Sequence, residues 1–506
     1  MSDAPIPPEV QEDFAAAVRL HSQGDVEAAA AQYRWIISRG VTLPEPFLNL
    51  ALIELERGRR PEAILLLKRA LEMRPAFNPA RRQLLRLLDQ EREDLLRGLL
   101  QHQPDDLDAY EQLLSLRSDD PAALAAAAAA YWRQRDVVRA EELARKSLEL
   151  RPNSMHTWVT LGSSLKRQGK FVEAEQALRK ALQLDPNAAI PHWNLSLIRL
   201  LFEDYDDAWP HYEWRWKVDG FPSPRRDFAQ PAWTGGPLAG KRLLVTWEQG
   251  FGDTIQFVRY LPLLKARGAT VIFEAQPNLV RLLEGMEGID ELAVYQQPLP
   301  PFDLHVPLLT VPGLLGAAFD PRLSRDGYLR AAPELVAEWR RRLEPLKGLR
   351  VGLVWGGNPD YDYSQFRSPG FQRFTRLLNV PGVSFVSLQV GGLRQDLATL
   401  PDAARLLPDL GGALRDFADT AAAVENLDLV IASDTGVVHL CGALGRPVWV
   451  LSAYPADWRW GLDRTDCHWY RSVRLFRQKG FRDDWREPFA EISSELRRDM
   501  LRVDKV

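Results

Sequence analysis

Two textures divide the chain. Through about residue 220, apolar residues recur every three or four positions and mark helical faces. From Lys241 onward, short β-branched runs alternate with helical stretches. The first texture repeats. Segments aligned on a turn residue with alanine five positions later give Gly24/Ala29, Gly58/Ala63, Arg135/Ala140, Gly169/Ala174 and Glu203/Ala208, and three of the four intervals are 34 residues. Pro152 and Pro186 keep the same beat. The register breaks between Gly58 and Arg135, where residues 79–118 read as a degenerate or enlarged repeat. In the clearest unit, residues 154–187, Trp158, Leu161, Gly162 and Leu165 form one face of a first helix, and Gly169 ends it. Ala174, Leu178, Ala181 and Leu182 form the inward face of a second helix, which Asp185-Pro186 stops. Gly162 and Ala174 are small enough to let the pair approach closely. Each pair exposes an apolar face that only a neighbour can cover, so the units stack into a solenoid with a groove suited to a polypeptide. Trp209, Tyr212, Trp214 and Trp216 crowd the end of the last unit and read as anchors on the next domain. The proline- and glycine-rich stretch 220–241 reads as the boundary.

In the second texture, strands are expected at 242–248, 270–275, 302–308, 350–357, 383–390, 427–434 and 447–453. They fall into two groups, before about residue 330 and after about 348, with a helix at 334–346 between them. Strands alternating with helices imply parallel sheets covered on both faces. The expected fold is therefore an α-solenoid followed by two doubly wound α/β lobes, with ligands at the carboxyl ends of the strands.

Bulk properties narrow the classes. A chain of 506 residues exceeds what one core usually serves, and 46% apolar with 26% charged residues is ordinary globular composition. A net charge of −4 speaks against a nucleic-acid partner. Cys441 and Cys467 lie outside any metal-ligand or disulfide spacing, so no metal is expected. The start, MSDAPIPPEVQEDFAAAV, lacks the pattern of a secretion signal, and no apolar run approaches the ~18 residues of a membrane span. The cytoplasm is the expected compartment.

Three places carry chemistry. Glu248-Gln249-Gly250-Phe251-Gly252-Asp253-Thr254 follows the first strand, and its glycines allow a tight strand-to-helix turn at the cleft. Two readings of Asp253 are open: a base for an acceptor hydroxyl, or a carboxylate that only stabilises a helix start. Ser433-Asp434-Thr435-Gly436-Val437-Val438-His439 opens a helix after another strand. Free N–H groups, a hydroxyl and room at glycine suit a phosphate or diphosphate, whereas helix capping would explain only one of these residues. Gly356-Gly357-Asn358-Pro359 follows a third strand, with Arg367-Ser368 a short loop away, and an arginine at a cleft mouth matches an anionic donor or simply sits on the surface. Arg471, Arg474, Arg477 and Lys479 add positive charge nearby, mostly as solvated or paired side chains.

With these residues in view, the repeats resemble tetratricopeptide repeats. The whole chain resembles bacterial fusions of such repeats to a heptosyltransferase-like glycosyltransferase domain. The marks are EQGFGDTIQFVRY (248–260), WGGNP (355–359), FVSLQ (385–389), DFADTAA (416–422), SDTGVVHLCGALGRPVWVL (433–451) and DWRW (457–460). The resemblance implies a GT-B fold of two Rossmann-like lobes and an inverting, metal-independent transfer from a nucleotide-sugar donor, with no cofactor. It divides the chain into a repeat solenoid (8–219), a linker (220–240), an acceptor-side lobe (241–346) and a donor-side lobe (347–506). It assigns the general base to Asp253, with Gln249, Gly250 and Gly252 on the acceptor side of the cleft. Donor contacts are expected at Asn358, Arg367, Gln389, Asp434, Thr435, Gly436 and His439. Some repeat-fused relatives glycosylate proteins, flagellin included, which makes a protein acceptor held by the repeats the expected partner. The loop DYDYSQFRSPGF (360–371) departs from the family in lacking a basic, asparagine-rich stretch, so the donor sugar and base do not carry over. A repeat adaptor with a decayed sugar-nucleotide domain, or an epimerase on the same fold, are the rival readings.

Overall fold

All five turn residues that set the repeat register take positive φ: Gly24, Gly58 and Gly169, but also Arg135 at 70° and Glu203 at 61°. The turn geometry is thus kept even where the sequence pays for it with a side chain in the left-handed region. The five alanines aligned with them, Ala29, Ala63, Ala140, Ala174 and Ala208, are all fully buried. The structure, a computed structural model, describes residues 7–40, 42–223, 225–316, 320, 327–359, 364–400, 402, 406–481 and 484–503. Residues 360–363 of the departing loop, Pro224 of the boundary stretch and residues 504–506 lie outside the described residues.

The chain divides into two compact units, Met1–Pro152 and Asn153–Val506. The first holds helices α1 (Pro8–Ser22), α2 (Val26–Ser38), α3 (Glu45–Glu56), α4 (Arg60–Met73), α5 (Asn78–His102), α6 (Leu107–Leu116), α7 (Pro121–Arg133) and α8 (Val137–Leu150). Each packs on the next in sequence, and Asp25, Asp106, Asp120 and Asp136 cap α2, α6, α7 and α8 by accepting backbone N–H groups. The enlarged repeat is real: α5 runs 25 residues against 10 in α6.

The second unit opens with two more hairpins, α9 (Met155–Arg167) with α10 (Phe171–Leu184) and α11 (Ala189–Leu201) with α12 (Tyr205–Tyr212). A Cβ at Gly162 would lie 2.7 Å from Leu178, so glycine is what lets α9 and α10 touch. Two wholly parallel sheets follow. The first orders its strands β3 (Glu291–Val294), β2 (Thr270–Ala275), β1 (Arg242–Thr246) and β4 (Leu304–Pro307). The second orders β6 (Val383–Ser387), β5 (Leu349–Val354), β7 (Leu429–Ser433), β8 (Val448–Ser452) and β9 (Val473–Arg477). This is the expected fold class, an α-solenoid followed by two Rossmann-like lobes. All seven expected strands are found, 270–275 with the bounds expected and the others shifted or shortened by a few residues. Two more, β3 and β9, escaped the sequence reading: ELAV is short, and VRLFR is broken by charge. That charge is structural, since Arg474 pairs with Glu495 at 3.0 Å and Arg477 donates to backbone carbonyls of Arg464 and Trp460.

Residues 228–233 of the boundary stretch lie along the first sheet: Trp233 is buried, its backbone N–H donates to the His305 carbonyl at 2.8 Å, and Phe228 packs on the cluster of Leu244 and Ile272. No helix among the described residues is long and apolar enough to cross a membrane.

Candidate active site

Strand β1 ends at Thr246, and the chain must turn at once to start helix α13 (Phe251–Phe257). Gln249 makes that turn with φ at 61°, held by its N–H on the Ser223 hydroxyl (2.6 Å) and by its amide on the Tyr212 hydroxyl (2.7 Å). Gly250 caps α13, and its N–H donates to Asp253 Oδ2 at 2.8 Å. Asp253 therefore sits in the first turn of the helix, as expected. Its other oxygen accepts from Arg459 Nη2 at 2.5 Å. Burial pushes the Asp253 carboxyl above its ordinary value, with Arg459 and the Gly250 N–H pulling the other way.

From the second lobe, β7 leads through Asp434 into the helix Gly436–Leu444, with Thr435 at its cap. Thr435 makes no capping bond, and its buried hydroxyl has no partner among the described residues. Asp434 accepts from Arg367 at 2.5 Å. A Cβ on Gly357 would touch the Thr435 methyl at 3.4 Å, so the loop after β5 closes over the same helix start. Gln389 braces that loop. Its carboxamide oxygen accepts the N–H groups of Trp355 (3.0 Å) and Gly356 (3.1 Å), and its NH2 donates to the Gly356 carbonyl (2.9 Å). Its amide is thus spent on the backbone. Asn358 stands exposed at the edge of this loop.

The two helix starts meet. A Cβ on Gly252 would come within 2.7 Å of the His439 ring, and one on Gly436 within 3.6 Å of the Gly252 nitrogen. His439 is buried and held neutral, its Nδ1 shares a hydrogen bond with the Tyr470 hydroxyl at 3.0 Å, and its ring stacks on Trp460. The three sequence signals therefore converge at one junction: Gly252 against His439 and Gly436, Gly357 against Thr435, Arg367 on Asp434.

Sequence reasoning did not assign three residues that the structure adds. Asp457 and Arg459, in the loop after β8, face Asp253. Arg459 is nearly buried, stacks on Trp458 at 4.2 Å and binds Asp457 at 3.0 Å. DWRW was legible as a mark of resemblance, but nothing in its spacing tells which lobe it faces. Lys166, on α9, is the third. Its ammonium donates to Asn194 Oδ1 at 2.5 Å and has no carboxylate partner among the described residues. Burial, helped by the charge of Arg167 and opposed by Asp457, pushes it down to about 7 from 10.5.

Lys166 carries a stability prediction. Well below pH 7 both folded and unfolded chains hold the proton, and the fold bears the cost of a partly desolvated ammonium. As pH rises toward 10.5 the folded lysine is neutral while the unfolded one is still charged, so the cost shrinks. Lys166→Met is expected to stabilise the protein at pH 6.5 by about 1–3 kcal/mol, with the gain shrinking by pH 9. Melting temperatures of both proteins across that range test it, and an equal or lower value for the variant at pH 6.5 refutes it.

Family profiles for the tetratricopeptide repeat match residues 14–78 and 156–188. Protein FlbA of Caulobacter vibrioides is 27% identical over 330 residues, which cover 58% of this chain and 52% of that protein. The chain thus spans about half the length of that relative. Among solved structures, the glycosyl transferase family 9 protein from Veillonella parvula aligns over 53% of this chain and 98% of its own, at 15% identity and a TM-score of 0.41. The E. coli ADP-heptose lps heptosyltransferase II aligns over 52% and 99%, at 13% identity and a TM-score of 0.38. With the 34-residue spacing, the positive-φ turns and the profile matches in agreement, residues 14–78 and 156–188 are tetratricopeptide repeats.

Proposed function

We propose that the protein is a glycosyltransferase that moves a sugar from a nucleotide-sugar donor to a hydroxyl of a polypeptide acceptor, with inversion and without a metal. The observation that carries this reading is the junction itself, where a half-buried carboxylate from one lobe meets the start of a helix from the other, at Thr435 and Gly436. Asp253 takes the proton of the acceptor hydroxyl as its oxygen attacks the anomeric carbon, opposite the leaving group. Charge then grows on the departing phosphate, and the Thr435 hydroxyl, the N–H groups at Gly436 and the Arg367 guanidinium receive it; the unpartnered Thr435 hydroxyl and the seat of Arg367 on Asp434 support this. The motif set 248–260, 355–359 and 433–451 supports the same assignment. The repeats supply a surface for the polypeptide, and flagellin belongs in any acceptor panel.

A thermal-shift panel of CMP, UDP, GDP, ADP and dTDP, on the wild type and on Asp434→Ala, tests the reading. A ligand at about 100 times its dissociation constant stabilises the folded state by about 2.7 kcal/mol. One nucleotide is expected to raise the melting temperature of the wild type and not of the variant. Silence from all five at millimolar concentration would instead favour an adaptor whose two-lobed domain binds no sugar nucleotide.

A further inference from the structure

Arg459 ties the candidate base to the opposite lobe by an ion pair. It comes from the loop after β8, yet it donates through Nη2 to Asp253 Oδ1 and through Nε to Gln256 Oε1, both at 2.5 Å and both on α13. Its remaining edge holds Asp457, its own neighbour, at 3.0 Å, and Trp458 covers its face at 4.2 Å. With Gly250 donating to the other oxygen, the Asp253 carboxylate is gripped from both ends. One guanidinium thus serves two carboxylates whose surroundings separate them. Burial raises both, but Asp457, which also feels Arg367 and accepts the Arg459 N–H, ends below its ordinary value while Asp253 ends above it. Two neighbouring carboxylates driven apart in this way divide the labour: one stays a fixed counter-ion and the other is free to trade a proton.

We propose that Arg459 is a positioning residue for Asp253: carried by the second lobe, it reaches across the junction to orient that carboxylate and hold it ionised, so that the base is assembled from both lobes. This rests on the transferase reading above. The other titratable groups around Asp253 are Asp457 on the same loop as Arg459, Glu248 at the end of β1 and Tyr212 on α12, with the neutral His439 on the facing helix. Arg215 is taken up by Glu248 and Arg367 by Asp434, and among the described residues Arg459 is the cation ion-paired with Asp253.

The test compares Arg459→Lys and Arg459→Gln with the wild type, each also in an Asp253→Asn background. In turnover, the acid limb of the kcat/KM profile is expected to move up by a pH unit or more in Arg459→Gln and by less in Arg459→Lys, which keeps a charge. In thermal melts, which need no turnover, Arg459→Gln is expected to lose more stability at pH 8 than at pH 5, because without Arg459 the folded Asp253 binds its proton still more tightly, relative to the unfolded chain, than it does in the wild type. That pH dependence shrinks when Asp253 is asparagine, and what is left comes from Asp457, which also loses its partner. Profiles that superimpose, with a melting penalty equal at both pH values in both backgrounds, overturn the proposal and leave Arg459 as packing. If Asp253→Asn abolishes turnover while Arg459→Gln leaves it intact, the transferase reading stands and the positioning role falls. If no donor is turned over but the melts show the coupling, the pair stands and the transferase reading falls.

Discussion

Replacing Asp253 with alanine is expected to lower transferase turnover by about 10²–10⁴-fold, the range general-base catalysis usually supplies. The reason lies in where the carboxylate sits. It is the acid in the first turn of α13, at the carboxyl end of β1, and its helix start abuts the Gly436 helix start of the other lobe. Burial raises its proton affinity above that of an ordinary aspartate. It therefore accepts a proton more readily than a solvated one, and the acid limb of the pH profile should lie above pH 3.8. Asp253→Asn separates chemistry from shape. It keeps the shape and one acceptor oxygen, enough for Arg459 or for the Gly250 N–H but not both, and it cannot take up a proton, so its turnover should fall as far as alanine's while donor binding in the thermal-shift assay holds. Turnover within about tenfold of wild type in both variants would leave Asp253 with the simpler role of stabilising a helix start.

Much of this was legible in the sequence, for identifiable reasons. A 34-residue beat marks the repeats outside the enlarged one at 79–118, because each hairpin must return the chain to the same place. Arg135 and Glu203 show that spacing outranks residue type, since a register drawn through glycines alone would have missed both turns. The strands that were missed failed on local signal: β3 spans four residues, and β9 carries Arg474 and Arg477 that only the folded chain pairs. The three site motifs were visible because strand-to-helix turns demand glycine and a helix cap. Their meeting at Gly252, His439 and Gly436 was not, because it depends on how two lobes face one another. Arg459 and Lys166 share that blindness. An arginine in a loop or a lysine on a repeat helix reads as solvated surface until the opposing carboxylate or the surrounding burial is seen.

Arg215→Met is expected to destabilise the second unit by about 3–5 kcal/mol, the usual cost of leaving one half of a buried ion pair behind. Arg215 follows the last repeat helix, and both it and Glu248, two residues past β1, are fully buried. The pair is bidentate, Nε to Oε1 at 2.9 Å and Nη2 to Oε2 at 2.8 Å, and the guanidinium also donates to Thr310, Glu213 and the Tyr212 carbonyl. Removing the arginine strands Glu248 beside the turn that carries Gln249, Gly250 and Asp253. Arg215→Met with Glu248→Met should recover part of the loss, because two apolar side chains leave no dry charge. A double variant no more stable than Arg215→Met would show that packing around Tyr212 and Trp216, not the charge, is what matters. The same contacts decide where the protein can be cut. A chain starting at Asn153 keeps α9–α12, the Arg215–Glu248 pair and the edge contacts of Trp209 with Phe257 and Trp458, and should melt cooperatively. A chain starting at 220, at the composition boundary, strands Glu248 and bares that aromatic face, and is expected to aggregate. Equal melting curves for the two truncations would mean that the lobes hold themselves together without the last repeats.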